Sequence, residues 1–226
     1  MSDRRGAPRL RPLTTPRAAA VAGIVFAVLF GTSLVLLRVS LPDNPFAPWR
    51  GQSRITTALV LAPLAGIAFL WFVGVVRDRL GDLEDRFFAT VVLGSGLLFL
   101  ALFFASSATA GAVLAYSRHI DTDTDPVVSF GREVMLQIGN VYAVRMAAVF
   151  MISLATIWWR TGVMPRVMVA VTYLVALALL LVVSLSLWAT LAFPTWVLLI
   201  STYILVVGPI EAGPETSPGT GPPERR

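Results

Sequence analysis

The sequence contains no cysteine and no lysine, and it has a single histidine. Without cysteine, disulfides, thiolate metal sites and cysteine nucleophiles are excluded. All 18 basic residues are arginine, a bias typical of genomes rich in G and C, so we expect a bacterial source of that kind. One histidine is too few to hold a haem between two histidines, and no nucleotide-binding signature is present. The sequence therefore predicts no cofactor.

Charged residues are scarce, and they lie mostly between long apolar runs. They form 14% of the 226 positions, against about 25% in an ordinary soluble domain, whereas hydrophobic residues form 56%. The net charge of +5 is too small, and too clearly placed at the ends of the apolar runs, to indicate binding of nucleic acid. The composition indicates an integral membrane protein whose main partner is the lipid bilayer.

The apolar runs predict an all-α fold, a polytopic transmembrane helical bundle. A helix of about 20 residues rises about 30 Å, which matches the hydrocarbon thickness of a bilayer. The final run, 167–207, is about twice as long and should turn back between Leu187 and Pro194, because proline suits the first turn of a new helix. Five spans are the alternative if the last segment is re-entrant. We predict six spans, at residues 18–37, 55–76, 87–112, 139–159, 167–187 and 190–208.

Both ends of the chain are predicted to lie in the cytoplasm, outside a bundle formed by residues 18–208. Residues 1–17 form a basic, proline-rich arm that should be flexible, and residues 209–226 form a Pro- and Gly-rich tail that should be disordered. Arginines concentrate on the cytoplasmic side of membrane proteins. With the N-terminus inside, twelve arginines fall on the inner face and five on the outer. The outer five are Arg38, Arg50, Arg54, Arg118 and Arg132. We therefore expect a multi-pass protein of the cell membrane.

Small residues recur every four positions in the first span, at Ala19, Gly23, Ala27 and Gly31. This spacing places them on one helix face, where another helix can approach closely. The partner helix could belong to a second copy of the chain or to the same bundle. Packing within the bundle is favoured, because five other helices of the chain are nearer.

The longest polar loop carries Asp121, Asp123 and Asp125, which alternate like the first ligands of a calcium-binding loop. The pattern then fails, since the sixth position is not glycine and the twelfth is Arg132 rather than an acidic residue. A solvated acidic loop is the simpler interpretation, and the three aspartates are only weak candidates for metal ligands. The next helix is expected to begin between Arg132 and Val141.

Arg145 is the one charged residue inside a predicted span, and an ionisable group at membrane depth is costly. Thirteen residues separate it from Trp158, or about 20 Å, which places its Cα about 10 Å below the outer boundary of the hydrocarbon. The long side chain could then extend to the headgroups. It could instead pair with an outer-loop aspartate or with Tyr142, or it could bind an anionic ligand in an outward cavity.

Three functions from different classes are compatible with these features, and no catalytic residues are predicted. The first is a structural or accessory subunit that packs beside another membrane protein. It is favoured because no carboxylate lies in a predicted span to serve a proton relay. The alternative is a passive or exchange-type carrier of a small or lipid-like anion that uses Arg145, with Ser153 and Thr156 along the path. The third is a membrane enzyme that acts on lipid headgroups through His119 and the loop aspartates.

Overall fold

The computed structural model describes residues 16–41, 49, 51–80, 86–118, 125–182 and 187–207, and these ranges are helical almost throughout, with no strand. The prediction of an all-α fold is therefore confirmed. The elements in chain order are α1 (Pro16–Ser40), α2 (Gln52–Leu80), α3 (Arg86–Ser117), α4 (Pro126–Leu136), a π-helical segment (Gln137–Ala143), α5 (Val144–Thr161), α6 (Arg166–Val182), a 3₁₀ segment (Leu187–Leu191) and α7 (Ala192–Val207).

Among the described residues, five helical stretches are long and apolar enough to cross a membrane, which indicates a multi-pass membrane protein. They are Ala19–Ser40, Gln52–Arg77, Phe87–Ser117, Pro126–Thr161 and Trp188–Val206. A shorter apolar helix, Arg166–Leu181, lies between the last two. Residues 1–15 of the predicted arm and the predicted tail, 209–226, lie outside the described residues.

The fourth long helix begins much earlier than its sequence suggests. Helical structure runs without a break from Pro126 through the π-helical segment to Thr161, so the expected start between Arg132 and Val141 is wrong. The cause is a strong N-terminal signal. The carboxylate of Asp125 accepts a hydrogen bond of 2.7 Å from the backbone N–H of Val127, and proline stands at the first helical position, where its missing N–H costs nothing.

The described part of the long apolar run near the C-terminus forms two helical stretches. The α6 helix ends at Val182, and the next described residues form the 3₁₀ segment from Leu187 and then α7, with Pro194 in its first turn. The turn predicted between Leu187 and Pro194 is therefore wrong, because proline is accepted in the first turn of a helix and these residues are helical. The 17 residues of α6 rise only about 26 Å, slightly less than a typical hydrocarbon core. Among the described residues, α6 is thus a short apolar helix, whereas the 3₁₀ segment and α7 together are long enough to cross a membrane.

Neighbouring helices alternate in direction along the chain. The hydroxyl of Ser33, late in α1, donates to the carbonyl of Ala58, early in α2, and the hydroxyl of Ser106, late in α3, donates to the carbonyl of Met135 in α4. The ends of α1 and α3 therefore lie beside the starts of α2 and α4. We call this side of the bundle the loop end, and the side where α1 begins and α7 ends the terminal end.

A cluster of aromatic rings fills the centre of the bundle. Phe69 of α2 is fully buried, and its ring lies 4.8 Å from that of Phe26 and 5.2 Å from that of Phe99, measured between centroids. The contact with Phe99 is edge-to-face and that with Phe26 is tilted, and such ring contacts add to the packing energy of each ring. The cluster comprises Phe26, Phe30, Phe69, Phe72, Phe99, Phe103, Phe150, Phe193 and Trp196. Five helices, α1, α2, α3, α5 and α7, thus meet in one apolar core.

The small residues of α1 are used inside the chain. Ala19, Gly23 and Ala27 are buried, and a Cβ atom at Gly23 would lie 2.0 Å from the Oγ of Ser201 in α7. Nothing lies within 4 Å of the corresponding position at Gly31. Packing within the bundle, the favoured interpretation of the four-residue spacing, is what the structure shows for the first three positions.

Candidate functional site

One group of buried polar residues lies around the π-helical segment, near the loop end. A π-helical turn widens the backbone ladder and is often found at functional sites. At Gly139 the segment lies so close to α3 that a Cβ would be 2.7 Å from the Oγ of Ser106. That hydroxyl donates a hydrogen bond of 2.8 Å to the main-chain carbonyl of Met135, just before the segment. Glycine is therefore required for this close approach.

The segment presents Asn140 to Arg38, which lies in the last turn of α1. Nη2 of Arg38 donates a hydrogen bond to Oδ1 of Asn140, and Asn140 is only 8% exposed. The other terminal nitrogen of Arg38, Nη1, is buried and has no hydrogen-bond acceptor among the described residues. The guanidinium group is therefore held by a neutral amide, and none of the described carboxylates accepts a hydrogen bond from it.

A second arginine lies close by. Arg132 of α4 is 5% exposed, and its Nη1 lies 2.8 Å from Oε1 of Glu133, whose side chain is 55% exposed. The positive charge of Arg132 acts on that of Arg38. Glu133 is turned toward the surface and pairs with Arg132, and it makes no hydrogen bond or ion pair with Arg38.

A cavity of about 40 Å³ adjoins this group. Its polar lining comes from Arg38, Asn140, Ser33, Ser106, Ser107 and Thr190, and the rest is apolar. The hydroxyls of Ser33, Ser106 and Ser107 already donate their protons to the main-chain carbonyls of Ala58, Met135 and Phe103. The hydrogen-bond donors that remain for a guest come chiefly from the guanidinium and amide groups.

Arg145, the candidate intramembrane charge, lies elsewhere. Its side chain is exposed on the outside of the bundle, and it makes no hydrogen bond or ion pair with the described residues. Arg145 does not line the 40 Å³ cavity. Tyr142, proposed as its partner, is 57% exposed. An exposed position is consistent with the alternative in which the Arg145 side chain extends to the lipid headgroups. A role for Arg145 in ligand binding stays a prediction.

Ser153 and Thr156, the two polar residues expected along a carrier path, are hydrogen-bonded to neighbouring groups of the bundle. The hydroxyl of Ser153 donates to the carbonyl of Val149 at 2.8 Å, and that of Thr156 lies 2.8 Å from both the carbonyl of Ile152 and the hydroxyl of Tyr173. Thr156 and Tyr173 thus join α5 to α6. Neither Ser153 nor Thr156 lines the cavity near Arg38.

Of the loop residues, only Asp125 can be placed. It caps α4, and its other carboxylate oxygen lies 3.4 Å from the hydroxyl of Tyr116. Asp121, Asp123 and His119 lie outside the described residues, so the metal and enzyme hypotheses that use them stay predictions. Within the described ranges, no group of three or more His, Asp or Glu side chains could hold a metal ion.

Sequence reasoning counted Arg38 and Arg132 only as outer-loop charges and overlooked Asn140. A usable signal existed at each position. Arg38 follows an apolar run directly, so one more helical turn would bury it, and Arg132 lies within the helix that Asp125 and Pro126 begin. Asn140 is a polar residue in an otherwise apolar stretch, where an amide side chain usually requires a hydrogen-bond partner.

Comparisons of this chain with protein-family models, with curated proteins and with solved structures find no match.

Proposed function

We propose that this chain is a structural or accessory subunit that packs beside another membrane protein. The observation that supports the proposal is the filling of the bundle centre by aromatic side chains from five helices. The described residues of this core offer no polar route across the bundle. The polar groups described near the loop end surround a cavity far smaller than the several hundred cubic ångströms of a typical small-molecule site.

The outer face of α6 is the surface that we propose for contact with the partner protein. It packs mainly on α5, and it leaves a row of exposed apolar residues along its outer face. The row comprises Val167, Val171, Leu174, Leu177 and Leu181. In a bilayer such a face contacts either lipid or a neighbouring helix, and in this proposal the helix belongs to the partner protein.

The partner is tested by crosslinking in the native membrane. A photoreactive residue at position 174 of α6 should give a repeated crosslink to one membrane protein, which should also be recovered with the tagged chain in mild detergent. The matched control places the same residue at position 60, on the exposed face of α2. Equal labelling at both positions, or repeated purification without a partner, would count against the proposal.

The proposed topology has six crossings with both termini in the cytoplasm, and α6 supplies the crossing that falls below the length of the other five. The distribution of arginines supports this orientation, because with the N-terminus inside twelve would fall on the inner face and five on the outer, and arginine concentrates on the cytoplasmic side. A reporter that is active only outside the cytoplasm should be inactive after Arg226 and active when inserted after Arg118. The reverse pattern of reporter activity would show that the chain has the opposite orientation in the membrane.

The proposed location is the cell membrane of a bacterium with a GC-rich genome. The exclusive use of arginine among 18 basic residues supports the source, since arginine codons are richer in G and C than lysine codons. The GC content of the source genome tests it directly. An ordinary GC content would contradict this part of the proposal.

A further inference from the structure

We propose that Arg38 and Asn140 bind a phosphate-type oxyanion in the cavity near the loop end. The cavity has more hydrogen-bond donors than acceptors for them. Nη1 of Arg38 is buried without an acceptor among the described residues, while Nη2 donates to Oδ1 of Asn140. A buried charged donor without a partner is costly, so an anion at this position would stabilise the fold.

The amide group of Asn140 supplies a second donor. Because Oδ1 faces Arg38 as an acceptor, Nδ2 points away from the guanidinium group, and it makes no hydrogen bond to the described residues. The serine hydroxyls of the lining donate their protons to backbone carbonyls. A bound ligand would therefore accept its hydrogen bonds from the nitrogen atoms of Arg38 and Asn140. A site with free N–H donors favours an anion over a cation.

Charge favours an anion as well. Arg38 and Arg132 act on each other as like charges, and Glu133 is hydrogen-bonded to Arg132 alone among the described partners. The C-terminal end of α1 offers Arg38 only a partial negative charge, about half an elementary charge. A bound anion would pair with the positive charge of Arg38, and a guanidinium group matches the oxygens of phosphate particularly well.

The size and depth of the cavity restrict the guest. Its volume of about 40 Å³ has room for about three water molecules, or for one small oxyanion. Asn140 precedes Trp158 by 18 residues, or about 25 Å along the helix. If Trp158 marks one boundary of the hydrocarbon, Asn140 lies close to the other, the level at which lipid phosphates are within reach. The phosphate could therefore belong to a lipid headgroup or be free in solution.

The first test measures thermal unfolding of the full chain, delipidated in a nonionic detergent, with added inorganic phosphate. Saturating phosphate should raise the Tm of the natural protein by about 5 °C. The rise should disappear in Arg38→Gln. It should persist in Arg54→Gln, which removes an exposed arginine at the same end of the bundle.

Asn140→Asp provides an independent variant in case Arg38→Gln does not fold. The new carboxylate would lie beside Arg38 and take the place of the anion. We expect a Tm above that of the natural protein in phosphate-free buffer, and no further rise with phosphate. A lower Tm together with an undiminished phosphate response would contradict the proposal.

The lipid source is tested by replacing phosphate with phosphatidylglycerol, with a phosphate-free galactolipid as the control. Stabilisation by phosphatidylglycerol alone would identify a lipid headgroup as the ligand, and stabilisation by inorganic phosphate would identify a site open to solution. Either result supports the proposal when it depends on Arg38. The proposal is overturned if neither probe stabilises the natural protein more than Arg38→Gln and Asn140→Asp.

Discussion

The indole N–H of Trp196 donates a hydrogen bond to the hydroxyl oxygen of Thr172, with 3.0 Å between the two atoms. Both residues are buried, and the contact joins α7 to α6. Thr172 in turn donates its proton to the carbonyl of Met168, one turn earlier in α6. The threonine hydroxyl therefore satisfies the indole and its own donor requirement at once.

Replacing Thr172 with valine tests this link. The two side chains have nearly the same shape, but valine would leave the indole N–H of Trp196 buried without an acceptor. We expect a loss of about 1 kcal/mol in the free energy of unfolding, measured by thermal or denaturant unfolding in detergent. Thr172→Ser should keep most of the stability, and Thr202→Val, at an exposed position of α7, should change little. Equal effects at both threonines would show that the hydrogen bond contributes nothing specific.

The absence of a side chain at Gly23 allows α1 and α7 to pack closely together. A methyl group there would lie 2.0 Å from the Oγ of Ser201 and 3.0 Å from the ring of Phe72. We expect Gly23→Ala to destabilise the bundle by about 2 kcal/mol, because a well-packed helix crossing has to separate. Gly31→Ala is the matched control on the same helix, since it meets no atom within 4 Å.

Ser201→Ala provides a check on the cause. It removes the hydroxyl oxygen that would be closest to the new methyl group, so the double variant should recover part of the stability lost in Gly23→Ala. Thermal unfolding of the four proteins completes a double-mutant cycle. Simple additivity of the two changes would contradict the proposed steric clash.

Phe69 contacts five other rings of the aromatic core, as Phe193 does. Its neighbours are Phe72 of the same helix and one ring from each of four other helices, namely Phe26, Phe99, Phe150 and Phe193. We expect Phe69→Ala to cost about 3 to 5 kcal/mol in the free energy of unfolding, because the cavity cannot close without moving several helices. Ile67→Ala, an exposed position in α2, should cost far less. Similar losses for the two variants would mean that the core is loosely packed.

Much of this fold could be predicted, because each long apolar run needs a helix to satisfy its backbone in lipid. The close packing of α1 within the bundle could also be predicted, since the spacing of Ala19, Gly23 and Ala27 places small side chains on one face. The start of the fourth helix was missed. The acidic character of the loop drew attention to metal binding, although Asp125 followed by Pro126 is a strong helix-start signal.

The candidate site could not be predicted from periodicity alone. A π-helical turn depends on tertiary contacts, here the close approach of Gly139 to Ser106, and its sequence looks like that of an ordinary helix. The burial of Arg38 depends on Asn140, which is 102 positions away in the chain. Arg145 lies in an apolar run, but local sequence does not say which face of its helix points outward.

Arg145 and Arg38 should therefore respond differently to the same substitution. The Arg145 side chain is exposed and bonds to none of the described residues, so we expect Arg145→Gln to change the free energy of unfolding by less than about 0.5 kcal/mol. Its phosphate response should equal that of the natural protein. Thermal unfolding with and without phosphate measures both quantities. A large loss of stability would indicate a partner for Arg145, and a lost phosphate response would return the anion site to the position that the sequence first indicated.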